Sequence, residues 1–415
     1  MFDHLDIYTP RERWLVGLAD AGLSALTLPA RMARQRRADG APSRILLLRL
    51  ERIGDLLMTL GAIRAVRTYA PAAQIDLVVG HWNESLAGLV TEVDRVDVVD
   101  ASWLARGAGG DSPAALARRA AGWRRRRYDL SINFEGDVRS HLLPWLAGAR
   151  RRVGFAHGGG GALLTDCVAH DAARHVADNS LALVQRAFDV PNGRITRPDA
   201  SADETHFRLT LPDQARAAAR AFLDQSVRAG RPNAPLLAVH VGAGREVKQW
   251  PPARFAHAAV QLAGPLGATI LLTGSQEDRP LMDEAHAAAA GLGVTPVRVP
   301  GTTDLVMVAA LLEQCRLLVT GDTGPMHLAS AVGTPAVAVF GPSMPWRYGP
   351  LGASARVVRV DLSCSPCNRI RRPPARCTGC VPDCLEGISV EAVVSAGRDL
   401  LGPEQGIRLQ PAARE

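Results

Sequence analysis

Aromatic residues are scarce, at 5% of the 415 residues. That leaves little material for the stacking platforms single-stranded nucleic acid requires, so no nucleic-acid partner is expected. No long apolar run is present either. The longest apolar segment, Trp14 to Ala30, is interrupted by Asp20 and dotted with Gly and Ala, which makes it a poor membrane span. Asp3, Asp6, Arg11, Glu12 and Arg13 crowd the N-terminus, and no clean apolar core with a cleavage site follows, so no secretory signal is expected. The Gly-x-Gly-x-x-Gly dinucleotide fingerprint is missing, as is the Gly-Lys-Ser/Thr ending of a Walker loop. His157-Gly-Gly-Gly-Gly161 has the look of an esterase oxyanion loop, but no Gly-x-Ser-x-Gly nucleophile elbow accompanies it, so a flexible loop is expected there. No Asp-x-Asp pair occurs, which counts against metal-dependent sugar transfer.

What is present is basic and globular. The formal net charge is +7, with arginine greatly outnumbering lysine, and this suits anionic partners, including the inner face of a membrane. Hydrophobic residues at 47% and charged residues at 21% are ordinary for a folded globular chain, and the length suggests two domains. Residues 1–43 form an extension ending in Asp39-Gly-Ala-Pro-Ser43. Its Trp14–Ala30 stretch, followed by Arg31, Arg34, Arg36 and Arg37, fits a helix lying in a membrane interface, or equally a packing helix with a basic tail.

Buried strands are predicted at Arg44–Leu50, Gln74–Val79, Arg95–Val99 and Tyr128–Phe134, separated by helical stretches that include Leu56–Tyr69 and Pro113–Arg127. A polar stretch from Asp189 to Asp203 ends this first domain, 44–200. After a helix over Gln214–Gln225 the pattern restarts: strands at Pro235–Val241, Ala268–Thr273, Val297–Val299, Arg316–Thr320 and Pro335–Phe340, with helices starting near Pro252, Glu277 and Asp304. This is the second domain, 201–400, and 401–415 is a tail. Alternation of β and α at these lengths predicts an α/β fold with parallel sheets covered on both faces.

The organising stretch is Val319-Thr-Gly-Asp322-Thr323-Gly324-Pro325-Met-His327-Leu-Ala, continued by Pro335-Ala-Val-Ala-Val-Phe-Gly-Pro342. A strand ends in a small polar turn, Pro325 opens a helix, and Gly333 closes it. Asp322, Thr323, Gly324 and His327 therefore stand where a strand's carboxyl end meets a helix N-terminus, a place suited to a phosphate or diphosphate. The alternative is that Asp322 only caps the helix. Arg52-Ile53-Gly54-Asp55 sets a carboxylate at the end of the first strand, either as a helix cap or as a base for an attacking hydroxyl. Arg139, after the fourth strand in Asn133-Phe134-Glu135-Gly136-Asp137-Val138-Arg139, could grip an anion or lie solvated on a helix. His240-Val-Gly242-Ala243-Gly244-Arg245-Glu-Val-Lys248-Gln-Trp250-Pro251 is a Gly-rich loop in which Lys248 offers a point charge for a diphosphate. Gly274-Ser-Gln-Glu277-Asp278 follows the next strand. Cys364, Cys367, Cys377, Cys380 and Cys384 have zinc-ribbon-like spacing in a Pro/Arg-rich loop, 364–384, readable as a structural, redox-sensitive or zinc-bound loop. Cys167 and Cys315 read as buried thiols.

Four of these blocks resemble glycosyltransferase family 9, the heptosyltransferases: Arg49-Leu-Glu-Arg-Ile-Gly-Asp55-Leu-Leu-Met-Thr-Leu-Gly-Ala-Ile63, the segment around Arg139, the Lys-x-Trp-Pro ending at Lys248, and Gly321 to Pro342. The likeness runs from about residue 44 to 395. It implies a GT-B fold, two Rossmann-like βαβ domains facing across a cleft, the first binding acceptor and the second a nucleotide sugar. It further implies inverting, metal-independent transfer of heptose from ADP-heptose to the lipid A–core acceptor of lipopolysaccharide, by a cytoplasmic protein peripheral to the inner membrane and requiring no cofactor. Asp55 is then the general base. Gly242, Ala243, Lys248, Gly274, Glu277, Asp322, Thr323, Gly324 and His327 face the donor, with Lys248 stabilising the leaving group, and Arg52 and Arg139 face the acceptor. The forty-residue extension and the lack of hydroxyl residues at Gly242-Ala243-Gly244 depart from the family pattern. Two other readings compete: a nucleotide-sugar epimerase of the same fold, and a non-catalytic basic surface-binding protein.

Overall fold

A computed structural model of the chain describes residues 5, 9–33, 40–104, 109–190, 207–228, 234–352 and 354–402. Most of the polar stretch after Asp189, the arginines at 34, 36 and 37, and nearly all of the tail lie outside the described residues. Two compact units result, Met1–Leu211 with Trp346–Leu351, and Pro212–Pro345 with Gly352–Glu415.

In the first unit six strands, β1 (Arg44–Arg49), β2 (Gln74–Val79), β3 (Arg95–Val98), β4 (Leu130–Asn133), β5 (Arg151–Phe155) and β6 (Asp166–Val168), form one sheet in the order β3-β2-β1-β4-β5-β6. Every pairing in it is parallel. The apolar run Ile45 to Leu48 in β1 is wholly buried, which requires both faces of the sheet to be covered. The second unit repeats the plan with β7 (Leu236–His240), β8 (Thr269–Thr273), β9 (Val297–Arg298), β10 (Leu317–Gly321), β11 (Ala336–Val339) and β12 (Ala355–Val358) in the order β12-β11-β10-β7-β8-β9. Its core joins strand residues such as Leu237, Val239 and Val337 to Phe255 and Leu262 of helix Pro252–Leu266 and Val393 of helix Val390–Leu401. Each unit is thus a doubly wound α/β layer with the strand order reversing once, at β1/β4 and at β7/β10. Loops leaving the carboxyl ends of adjacent strands diverge at such a point and open a crevice.

Three strands, β5, β6 and β12, were not anticipated. β5 begins Arg151-Arg152; the Arg152 guanidinium is buried and donates to the carbonyls of Leu163 and Ala149, so a charge stands where an apolar residue was expected. β6 is a three-residue edge, and β12 is an edge strand only partly buried. The predicted helix Pro113–Arg127 is α-helical over Pro113–Gly122 and continues as a 3₁₀ turn, Trp123–Arg126, ending at Arg127 with φ 51°.

The N-terminal helix α1 (Pro10–Ala33) covers the predicted apolar segment. Asp20 accepts from the amide of Gly160, and Val16 lies so close to Gly159 that a Cβ there would fall 2.5 Å from it. The run of glycines after His157 is therefore a thin seat for α1 rather than a flexible loop. Leu15 and Leu18 of α1 are 61% and 57% exposed.

Candidate functional site

In the first unit the loops after β1 and β4 border the reversal of strand order. Helix α2 (Ile53–Tyr69) starts directly after β1, and Gly54 is buried in its first turn. Asp55 Oδ2 accepts from the Arg52 amide at 3.2 Å, so Asp55 does cap the helix. Its Oδ1 takes 3.2 Å contact from the Arg49 guanidinium, whose Nε also donates to the Asp55 carbonyl at 3.1 Å. Arg49 is buried, and the Asp55 side chain is 26% exposed at the outer end of this arrangement. On the inner side stands Glu135, 6% exposed. Its Oε1 accepts from the amides of Leu50 at 2.7 Å and Glu51 at 3.1 Å, and lies 3.6 Å from Arg49. Burial pushes the Glu135 carboxyl above the usual range; Arg49 opposes this, and the charges of Glu51 and Asp55 add to it.

Arg52 lies over the Trp82 ring at 4.3 Å and donates to the Leu104 carbonyl. Arg139, in helix Val138–Leu146, lies over the Trp103 ring at 5.0 Å, with Nε donating to Asp137 at 3.1 Å. Both predicted acceptor-side arginines therefore border the Trp103–Leu104 turn. Trp82 follows β2 and Trp103 follows β3. A lone tryptophan in a loop carries no motif, so neither these rings nor Glu135 were singled out.

The second unit builds its own cluster where β7 and β10 adjoin. Lys248 ends a short 3₁₀ turn, Glu246–Lys248, and its Nζ lies 2.7 Å from Asp322 Oδ2, with both side chains largely buried. Asp322 therefore pairs with Lys248, while Thr323 occupies the N-cap of helix Gly324–Val332 without a side-chain cap bond. Pro325 stands in the first turn, Gly333 closes the helix at φ 84°, and His327 is buried in it. The N-terminal amides of this nine-residue helix stand directly after Asp322, beside the Lys248 ammonium. Gly242 and Gly274 are also brought together, through Asp278: a Cβ on Gly242 would lie 2.3 Å from the Asp278 carboxylate, and one on Gly274 3.1 Å from its Cβ. Asp278 in turn accepts from the amide and hydroxyl of Ser275. Glu277, the predicted residue of that segment, is exposed. Burial holds His240, at the end of β7, neutral and well below the usual imidazole range against the pull of Asp278.

The cysteines do not assemble as a zinc-ribbon-like set. Among the described residues no group of three or more His, Cys, Asp or Glu side chains is arranged to hold a metal ion. All seven cysteines are free thiols, and Cys167 is exposed rather than buried. Cys384 is buried against Gly341, and burial, with Cys367 and Cys377 nearby, pushes its thiol up, whereas Cys380 is exposed and turned to the Arg376 carbonyl.

The family model for glycosyltransferase family 9 (heptosyltransferase) matches residues 117–375. The chain is 28% identical over 327 residues to lipopolysaccharide heptosyltransferase 2 of Salmonella typhimurium, covering 76% of this chain and 88% of that one. Over 327 residues it is 27% identical to the Escherichia coli protein of the same name, with the same coverage. Among solved structures it is similar to a family 9 glycosyltransferase from Veillonella parvula, with TM-score 0.70, 24% identity, and 86% and 97% of the two chains covered. It is also similar to E. coli ADP-heptose lps heptosyltransferase II, with TM-score 0.67, 23% identity, and 86% and 98% covered. With two doubly wound α/β units and a family model that matches more than half of its length, the chain belongs to glycosyltransferase family 9, the heptosyltransferases.

Proposed function

We propose that this protein transfers a heptose from ADP-heptose to the inner core of lipopolysaccharide, with inversion and without a catalytic metal. The observation that carries this reading is the Lys248–Asp322 pair beside the N-terminus of helix Gly324–Val332, in a chain of this family. A diphosphate held there meets the Lys248 ammonium, the helix dipole and the amides from Thr323 to His327. These charges act more strongly as the glycosidic bond breaks and negative charge gathers on the departing diphosphate. They supply what a divalent cation supplies in other transferases. Gly242, Ala243 and Gly274 line the donor side, and Asp278, whose carboxylate fills the space beside Gly242, joins Glu277 as a candidate for the nucleoside side.

The first unit takes the acceptor. Asp55 removes the proton of the attacking hydroxyl, which then adds to the face of the anomeric carbon opposite the diphosphate; ADP departs and the configuration inverts. Arg52 and Arg139 hold the acceptor's anionic groups, and Trp82 and Trp103 fix their planes from behind. The acceptor is the lipid A–core at the inner membrane surface. No helix among the described residues is long and apolar enough to cross a membrane. On this reading the protein meets the lipid from the side, and the exposed Leu15 and Leu18 of α1 support it.

The decisive experiment incubates the protein with ADP-heptose and heptose-deficient core lipid, with and without EDTA, and follows ADP release and product mass. Acceptor-dependent ADP release that survives EDTA supports the reading. Activity abolished by EDTA and restored by Mg²⁺ in a folded protein overturns metal independence. No transfer to any core acceptor overturns the function.

A further inference from the structure

Two carboxylates share one buried cation at the reversal of the first sheet. The Arg49 guanidinium reaches Asp55 Oδ1 at 3.2 Å on its outer side and Glu135 Oε1 at 3.6 Å on its inner side, and it also takes the Phe134 carbonyl at 3.1 Å. Glu135 does more than balance this charge. Its Oε1 holds the amides of Leu50 and Glu51, the first two residues of the turn that ends in Asp55. The same turn is held from the other side, where Trp82 Nε1 and Asn83 Nδ2 each donate to the Glu51 carbonyl at 2.8 Å. Glu135 is itself fixed, its amide donating to Asn133 Oδ1 at 3.1 Å. Nothing in the transfer chemistry proposed above uses this buried acid.

We propose that Glu135 is a positioning residue for Asp55, fixing the turn that carries the base and competing with it for the charge of Arg49. This rests on Asp55 being the base of the transfer reaction. While Glu135 holds a proton, the Arg49 charge bears on Asp55 undiminished and weakens it as a base. When Glu135 ionises, its charge offsets Arg49 and Asp55 binds a proton more tightly. The charged groups facing Glu135 are Arg49 from β1, Glu51 from the turn and Asp55 from α2. Burial delays ionisation of Glu135 beyond that of an exposed carboxyl.

The test compares wild type, Glu135→Gln and Glu135→Ala by the pH dependence of kcat/KM, with ADP affinity measured alongside. Gln keeps an oxygen acceptor for the two amides but does not ionise. The rising limb should therefore contain two ionisations in wild type and one in Glu135→Gln, whose kcat at neutral pH stays within a few-fold. Glu135→Ala frees the turn and should lose about ten- to a hundred-fold in kcat with ADP affinity unchanged. Superimposable rising limbs for wild type and Glu135→Gln overturn the proposal, and they decide it alone should Glu135→Ala fail to fold. A control separates this from the functional reading: if Asp55→Asn turns over normally, Asp55 is not the base. Carboxyl-carbon NMR of Glu135, with and without Asp55→Asn and with no substrate present, then decides the coupling. A titration that moves to lower pH in the variant supports it, and an unmoved one refutes it.

Discussion

Lysine and arginine together number 48, and Lys248 is the one lysine among them. An ammonium is a compact point charge, whereas guanidinium is a planar fork, so the two do not replace each other against a diphosphate that changes shape as its bond breaks. We predict that Lys248→Ala weakens ADP binding and lowers turnover together, and that Lys248→Arg recovers only part of the loss. Reductive methylation with labelled formaldehyde should give one side-chain NMR signal, and ADP should shift it; a signal indifferent to ADP would remove Lys248 from the site. Asp55→Asn should depress turnover by roughly two to four orders of magnitude with ADP affinity intact. Glu135 makes a separate prediction, about stability. Below about pH 4.3 the folded and unfolded chains both carry its proton. Above that, the unfolded chain releases the proton while the folded one keeps it, so this group's contribution falls as pH rises until the folded carboxyl ionises too. The denaturation midpoint of Glu135→Gln should therefore gain on wild type between about pH 4 and pH 8; a constant gap would show that burial does not raise this carboxyl.

Elements differ in how openly their sequences announce them. Ile45-Leu-Leu-Leu48 and Ala336-Val-Ala-Val339 are unbroken apolar runs, and both are buried strands. β5 hides because the buried Arg152 guanidinium is satisfied by the carbonyls of Ala149 and Leu163, and an apolar pattern does not reveal such partners. The site follows the same division. Asp55 and Asp322 stand out in the sequence as candidates because each closes a short motif at a strand end, and Lys248 because it opens the Lys-x-Trp-Pro pattern. Glu135 does not, since its meaning depends on β4 lying beside β1. Asp278 outranks Glu277 beside Gly242 for a similar reason: in the turn before helix Arg279–Gly291 the Asp278 carboxylate lies against Gly242 while Glu277 is exposed, which the sequence does not distinguish. The cysteine spacing left structural, redox-sensitive and zinc-bound readings open, and among the described residues no group of three or more ligand side chains is arranged for a metal ion. At this scale we predict that Gly136→Ala, whose Cβ would lie 1.9 Å from the His157 ring, costs about 1–3 kcal/mol and loosens the seat of α1. Thermal unfolding together with proteolysis at α1 would check it, and an unchanged melting curve would refute it.

For the whole molecule, the testable expectation concerns the lipid surface. Protein lacking residues 1–43 should keep its turnover on detergent-dispersed acceptor and lose its co-sedimentation with anionic vesicles. Full-length protein should release from those vesicles as salt is raised. Equal vesicle binding by both forms would remove α1 from that role.

One feature of the chain's path bears on how the protein is made. Trp346–Leu351 belongs to the first unit although it comes from deep within the second. There Leu351 packs with Ala177 and Phe207, and Gly349 accepts from the buried His175. On the ribosome, the first unit therefore waits for residues that arrive only after most of the second has been synthesised. Neither unit is complete as a contiguous length of polypeptide, so a nascent chain halted between Leu211 and Trp346 would carry a first unit still missing part of its packing.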